Sequence, residues 1–196
     1  MDETVIKAMQ KWPNVPEVYG WLRLDRRGNW LLKTAPGRFE RIGNRGLIEF
    51  IGRNYEPDPG GNWYFQNGPQ RVFVGLDYTP QVMRLGEDGR TWTTQSGVVV
   101  GRIHELLLDE QDQLLLVSDA GPGVVDDRDI PVLLEHLSEG GVVCDPEAIM
   151  DRLRNSAHPV QLELMGHTIA ASAISSRTLP DRFRFVPEPV PQQEKA

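Results

Sequence analysis

Cysteine is almost missing from this chain: Cys144 is the only one in 196 residues, so no internal disulfide can staple the fold. Stability must come from packing, and a chain of this length buries roughly 70% of its unfolded surface, enough for a core. Lysine is scarce as well, with four Lys against 17 Arg. No apolar run approaches the roughly 18 residues of a membrane-crossing helix, which excludes that kind of span. The first residues, Met1 to Trp12, are charged and amphipathic without an apolar stretch, so no secretory signal is expected there. A net charge of −7 argues against non-specific nucleic-acid binding by the whole molecule. These absences lead to the expectation of a cytoplasmic protein with no membrane partner.

The usual catalytic strings are also lacking. There is no G-x-S-x-G, no G-x-x-x-x-G-K-[ST] and no H-E-x-x-H. Cys144 follows Val142-Val143, an apolar setting that suits an inert thiol. His104, His136, His158 and His167 are scattered, and adjacent His104 and Glu105 on a strand would point to opposite faces. Asp119, Asp126, Asp127 and Asp129 surround Gly121-Pro122-Gly123 but lack the D-x-D-x-D-G spacing of a calcium loop. Negative charge before a helix at Ile130 explains three of them. No metal, cofactor or catalytic residue is assigned.

What the chain has is asymmetry. Thirteen of its 15 aromatic residues precede Gly97, and the net charge is +2 before that point and −9 after it. The division suggests an aromatic-rich region over 1–97, an acidic aliphatic region over 98–186 and a disordered tail over 187–196. Helical spacing predicts short helices over Glu3–Trp12, Arg45–Arg53 capped by Asn44, Ile130–Leu137, and Pro146–Arg154 capped by Asp145. Hairpins are expected at Val18–Leu24 with Trp30–Leu32, Trp63–Phe65 with Arg71–Val74, and Gln81–Leu85 with Thr91–Thr94. Aliphatic strands follow at Val98–Leu108 and Gln113–Val117, then a hairpin over Val160–Ile174 turning near Gly166. The fold class is α+β: antiparallel hairpin and meander sheets, about four short helices and two subdomains.

Four of the turns share a spacing. Asp25, Asp58, Glu87 and Asp109 each precede Trp30, Trp63, Trp92 and Leu114 by five residues. An acid at the start of a turn accepts backbone N–H bonds, and the large apolar residue opens the returning strand. DPGGNW and EDGRTW resemble the Asp-box hairpins of sialidase-type propellers, although Glu56 and Leu85 stand where those boxes carry Ser or Thr. A propeller fails on arithmetic: blades take about 40–45 residues, whereas these anchors are 33, 29 and 22 apart. Hairpins of an ordinary sheet remain.

Two segments invite a functional reading. Arg53, Asn54 and Tyr55, with Gln66, Asn67 and Arg71 and the neighbouring Trp21, set directional polar groups beside aromatic rings, as a binding cleft does. They are the candidate residues for an unknown protein partner or small polar ligand, and an aromatic sheet face also suits a homodimer. From Arg23 to Arg53, eight basic residues stand against three acidic ones with Trp21, Trp30 and Phe39 nearby, the pattern of a phosphate-and-base surface. Three function classes follow: a non-enzymatic binding protein, favoured; an enzyme acting on a small polar metabolite through Arg71, Asn54 and Asp77; and a nucleic-acid binder through residues 23–53, disfavoured by the acidic balance.

Lys11-Trp12-Pro13-Asn14-Val15-Pro16, Tyr19-Gly20-Trp21-Leu22 and the run from Phe65 to Val72 resemble an uncharacterised proteobacterial protein family of about 200 residues. The resemblance lies mainly in residues 1–85. It implies a bacterial cytoplasmic setting and carries no assigned activity.

Overall fold

A computed structural model describes residues 1–191. The chain is α+β and divides into two units, one of Met1–Pro80 plus the segment from Arg184 onward, the other of Gln81–Phe183. None of the described helices is long and apolar enough to cross a membrane.

The first unit opens with α1 (Glu3–Lys11) and then β1 (Val18–Leu24), β2 (Trp30–Ala35) and β3 (Arg38–Arg41). After α2 (Arg45–Arg53) come β4 (Tyr55–Pro57), β5 (Trp63–Asn67) and β6 (Gln70–Leu76). They form one six-stranded sheet in the order β3-β2-β1-β6-β5-β4. Two antiparallel meanders meet where β1 runs parallel to β6, with Leu22 opposite Val74 and Leu24 opposite Leu76. Trp30, Leu24, Ile51 and Val74 are almost fully buried. Asn44 caps α2 by accepting the Leu47 N–H at 3.0 Å, as its position before the apolar stripe predicts.

The second unit holds β7 (Gln81–Leu85), β8 (Trp92–Thr94), β9 (Ile103–Leu108), β10 (Leu114–Ser118) and β11 (Gly121–Val125). Beyond them lie α3 (Ile130–Glu135), β12 (Leu137–Glu139), β13 (Val142–Val143), α4 (Pro146–Asn155), β14 (Val160–Leu164), β15 (His167–Ala173) and α5 (Leu179–Phe183). The sheet order is β13-β12-β14-β15-β9-β10-β11-β7-β8. Met83 and Trp92, from one end of that order, share a core with Leu137 and Leu162 from the other. The sheet therefore curls around its own apolar face. Leu114, Leu115 and Leu116 are all buried, so β10 is covered on both sides, which its unbroken aliphatic run reflects.

Several expectations need correction. The break falls between Pro80 and Gln81, not at Gly97. The aromatic count misplaces it because Trp92 is 3% exposed inside the aliphatic core of the second unit. The proposed tail begins too early: the Leu76 N–H donates to the Pro187 carbonyl at 2.8 Å, and Glu188 pairs with Arg23. The rest of that tail, 192–196, lies outside the described residues. The described residues form five α-helices, in keeping with the expected handful of short ones, whereas residues 98–102 are not strand apart from a single bridge at Val99. Pairing is mostly antiparallel, but β1 with β6, β7 with β11, and β9 with β15 are parallel. Gly121–Val125, between the acids Asp119 and Asp126, is a strand.

The acidic turns are the clearest link from sequence to backbone. In the turns starting at Asp25, Asp58 and Asp109, that residue's N–H donates to the carbonyl four residues on, and the N–H three residues on returns to its carbonyl. The side chain accepts the N–H groups two and four residues ahead: Arg27 and Asn29, Gly60 and Asn62, Gln111 and Gln113. The third position after the acid is left-handed, Gly28, Gly61 and Asp112 at φ +73°, +81° and +60°. The remaining turn is one residue longer, from Gly86 to Thr91. Its acceptor is accordingly Asp88, which takes the Arg90 and Thr91 N–H groups, and not Glu87.

These capping acids predict the acid limb of stability. Hydrogen bonds from the Thr91 hydroxyl and N–H pull Asp88 down to about 2, and the same pair of donors on Ser176 pulls Glu110 down to about 2. A carboxylate depressed in the fold stabilises above its ordinary value, 3.8 for Asp and 4.5 for Glu, and loses that contribution as pH falls towards 2. Glu110→Gln is expected to lower the urea midpoint at pH 6 and to converge with wild type at pH 2. Parallel curves across that window would refute the assignment.

Candidate functional site

The cleft that gathers the sequence candidates lies in the first unit, between the end of α1 and the hairpin of β5 and β6. Its position is set at the start of α1. The Asp2 N–H donates to Asn54 Oδ1 at 2.7 Å, Asn54 Nδ2 donates to the Phe50 carbonyl at 2.9 Å, and Arg53 Nε lies 3.1 Å from Asp2. Arg53 and Asn54 thus fasten α1 to the end of α2. On the other side, Gln66 pairs with Arg71 and Asn67 with Gln70 across the hairpin. Gln70 Nε2 donates to the Pro16 carbonyl at 3.0 Å, which ties the hairpin to the segment leaving α1.

Met9, Trp12, Pro13, Val15 and Pro69 give the cleft apolar walls, and Glu17, Gln66 and Arg71 give it polar ones, around about 330 Å³. Trp12 is 51% exposed, a large ring left open to solvent at the rim. Gln66 is 1% exposed, and its Nε2 donates to the Gly68 carbonyl at 2.9 Å. Its Oε1 is buried and accepts no hydrogen bond from the described residues. A buried amide oxygen without a donor costs roughly 1–3 kcal/mol.

Arg71 reaches to 4.0 Å from Glu17 and lies over the Tyr64 ring, 4.7 Å from its centre. Two tyrosines flank it. Tyr64 donates to Glu56 and Tyr19 to Glu17, both at 2.6 Å, and desolvation together with those carboxylates raises each phenol to about 12. Tyr19 also stacks flat on Phe73 at 4.5 Å. Both phenols therefore stay protonated at neutral pH.

The other sequence candidates sit elsewhere. Tyr55 donates to the Pro80 carbonyl at 3.0 Å and packs against Trp30 and Trp63; burial pushes its hydroxyl well above the usual range. Trp21 is exposed on β1, and Asn67 is exposed at the hairpin end. Arg71, Asn54 and Asp77 are not assembled as a catalytic set: Asn54 serves the N-terminus and Asp77 accepts from Arg23 at 2.6 Å. Of the eight basic residues over 23–53, Arg23, Arg38, Arg45 and Arg53 are paired with carboxylates. Asp119 accepts from the Gly101 N–H, Asp126 from Arg128, and Asp129 from the Leu85 N–H, so the acids near Gly121–Gly123 have other work. Among the described residues no three metal-ligating side chains gather.

Sequence reasoning missed Met9, Trp12, Val15 and Glu17 as cleft residues. The available signal was the Pro13 and Pro16 pair, which stops α1 and turns the next segment towards the hairpin.

Comparison with known proteins gives the fold a wider setting. No curated protein matches the chain. A crystal structure of a DUF1285 family protein from Silicibacter pomeroyi DSS-3 is similar at 15% identity, over 87% of this chain and 94% of that one, with a TM-score of 0.51. At that identity the likeness concerns the fold alone. The DUF2944 family model, described as a protein of unknown function (DUF2946), matches residues 1–190, and the chain belongs to that family.

Proposed function

We propose that this is a non-enzymatic binding protein of the bacterial cytoplasm, and that the cleft between α1 and the β5–β6 hairpin receives a partner segment or a small polar ligand. The observation that carries this reading is the buried, donor-less Oε1 of Gln66 beneath apolar walls. An occupant that offers an N–H or O–H to that oxygen and an apolar face to Trp12 and Met9 removes both costs at once. Arg71, already near Glu17 and over Tyr64, supplies a cation beside them. Arg53 and Asn54 support the site by fastening the start of α1 to α2. The single cysteine, with its thiol pushed up by burial, is consistent with a reducing interior.

Gln66→Met and Trp12→Ala test the proposal together. Gln66→Met removes the donor-less oxygen along with one neutral hydrogen bond, so its stability is expected within about 1 kcal/mol of wild type. Both variants are expected to lose the same partner in quantitative affinity capture, while Trp21→Ala on the exposed face of β1 keeps it. Equal recovery by wild type and both variants would reject the cleft. A loss of several kcal/mol in Gln66→Met would instead make Gln66 a structural residue.

A further inference from the structure

The second unit carries its own cavity, independent of the cleft just described and nearly twice as large, about 610 Å³. It forms because the curled sheet brings distant strands together. Leu137 pairs with Leu164, and Leu164 with His167, so the register of β12, β14 and β15 brings His136, the residue just before β12, towards His167. Arg90 and Trp92 arrive from the opposite end of the strand order, through the turn that leads into β8.

The lining is chemically selective. Residues 81–183 contain 17 acidic side chains against eight arginines. Yet the described residues that line the cavity include Arg90, His136 and His167 and no carboxylate. Among the described residues no acid is paired with Arg90, whereas Arg128, Arg152, Arg154 and Arg182 all hold carboxylates. The His136 ring is fixed by a 2.7 Å hydrogen bond between Nδ1 and the Val132 carbonyl. Facing these groups are Trp92, Met165 and Val99, the last 62% exposed at the cavity. The Trp92 indole N–H is buried and has no acceptor among the described residues.

We infer that this cavity binds a small organic carboxylate with an apolar body. The guanidinium of Arg90 and the two imidazole edges meet the carboxylate, and the body covers Val99 and Met165 and packs on Trp92. The volume lies within the roughly 300–1,000 Å³ typical of small-molecule sites. An anion is selected over a cation because the only charged side chain in the lining is an arginine. An amphiphile is selected over a bare oxyanion because more than half of the lining is aliphatic, aromatic or glycine.

The test is an NMR titration of the full chain with 4-phenylbutyrate, read at the ring signals of His136 and His167. The uncharged 4-phenylbutan-1-ol and inorganic phosphate serve as matched arms. Saturable shifts at both rings are expected with the carboxylate, and binding about tenfold weaker or more with either comparison compound. Arg90→Gln is expected to weaken carboxylate binding by about tenfold, a charge-assisted hydrogen bond converted to affinity. Should that variant disturb the fold, Met165→Glu places a negative charge on the lining and is expected to abolish binding. No saturable shift at millimolar carboxylate overturns the inference. So does equal binding of the alcohol, equal binding of phosphate, or indifference of well-folded Arg90→Gln and Met165→Glu.

Discussion

Gly61→Ala is expected to destabilise the protein by about 3–5 kcal/mol, far more than a glycine substitution in a surface turn ordinarily costs. Two effects coincide there. Gly61 sits at φ +81°, where a Cβ costs about 1–2 kcal/mol. That Cβ would also lie 2.2 Å from the Arg184 carbonyl oxygen and 3.0 Å from its carbon, backbone atoms that cannot swing aside. The returning segment is fastened at this crossing, since the Val186 N–H donates to the Gly61 carbonyl at 2.9 Å and Phe185 is 5% exposed. Pushing it away exposes Phe185 and loses the bond from Leu76 to Pro187. Gly37→Ala is the control, because Gly37 has φ +71° and open space around a Cβ. It should cost about 1–2 kcal/mol. Urea unfolding measures both, and tryptic cleavage after Arg184 should accelerate only in Gly61→Ala. Equal losses in the two variants would show that the crossing contributes nothing.

Trp92→Ala is expected to cost about 3–5 kcal/mol, the range for deleting a large ring from a packed core. Trp92 is packed with Met83, Leu106 and Leu137, so the damage belongs to residues 81–183. Hydrogen exchange should show the larger fall in protection over 81–183 and the smaller over 1–80. Trp92→Phe should cost about 1–2 kcal/mol, because the indole N–H it removes has no acceptor among the described residues. A fall centred on 1–80 would place the ring in the wrong unit.

Local features were legible because their causes are local. Asn44 and Asp145 cap α2 and α4 as side-chain acceptors three residues ahead of Leu47 and Ala148. The Met165-Gly166 turn closes β14 onto β15 with both residues at positive φ. The acidic turns were visible from spacing alone, and only the one-residue insertion before Thr91 hid Asp88 behind Glu87. Gln66 and Arg71 were legible as polar residues in an aromatic hairpin.

The scarcity of cysteine, lysine and long apolar runs determined how this protein could be built: an α+β chain held by packing, made of short hairpins and capped helices. The sequence also marked two different ways of filling a core. Only the tertiary structure decided where one unit ends, because β1 with β6, β7 with β11, and β9 with β15 pair in parallel across long stretches of chain. No turn residue records such a pairing; it follows from which apolar faces must cover one another. The same holds for both cavities. Trp12 shares a cleft with Gln66, and Arg90 shares a cavity with His167, through sheet register and chain crossing, which are set by burial summed over many residues.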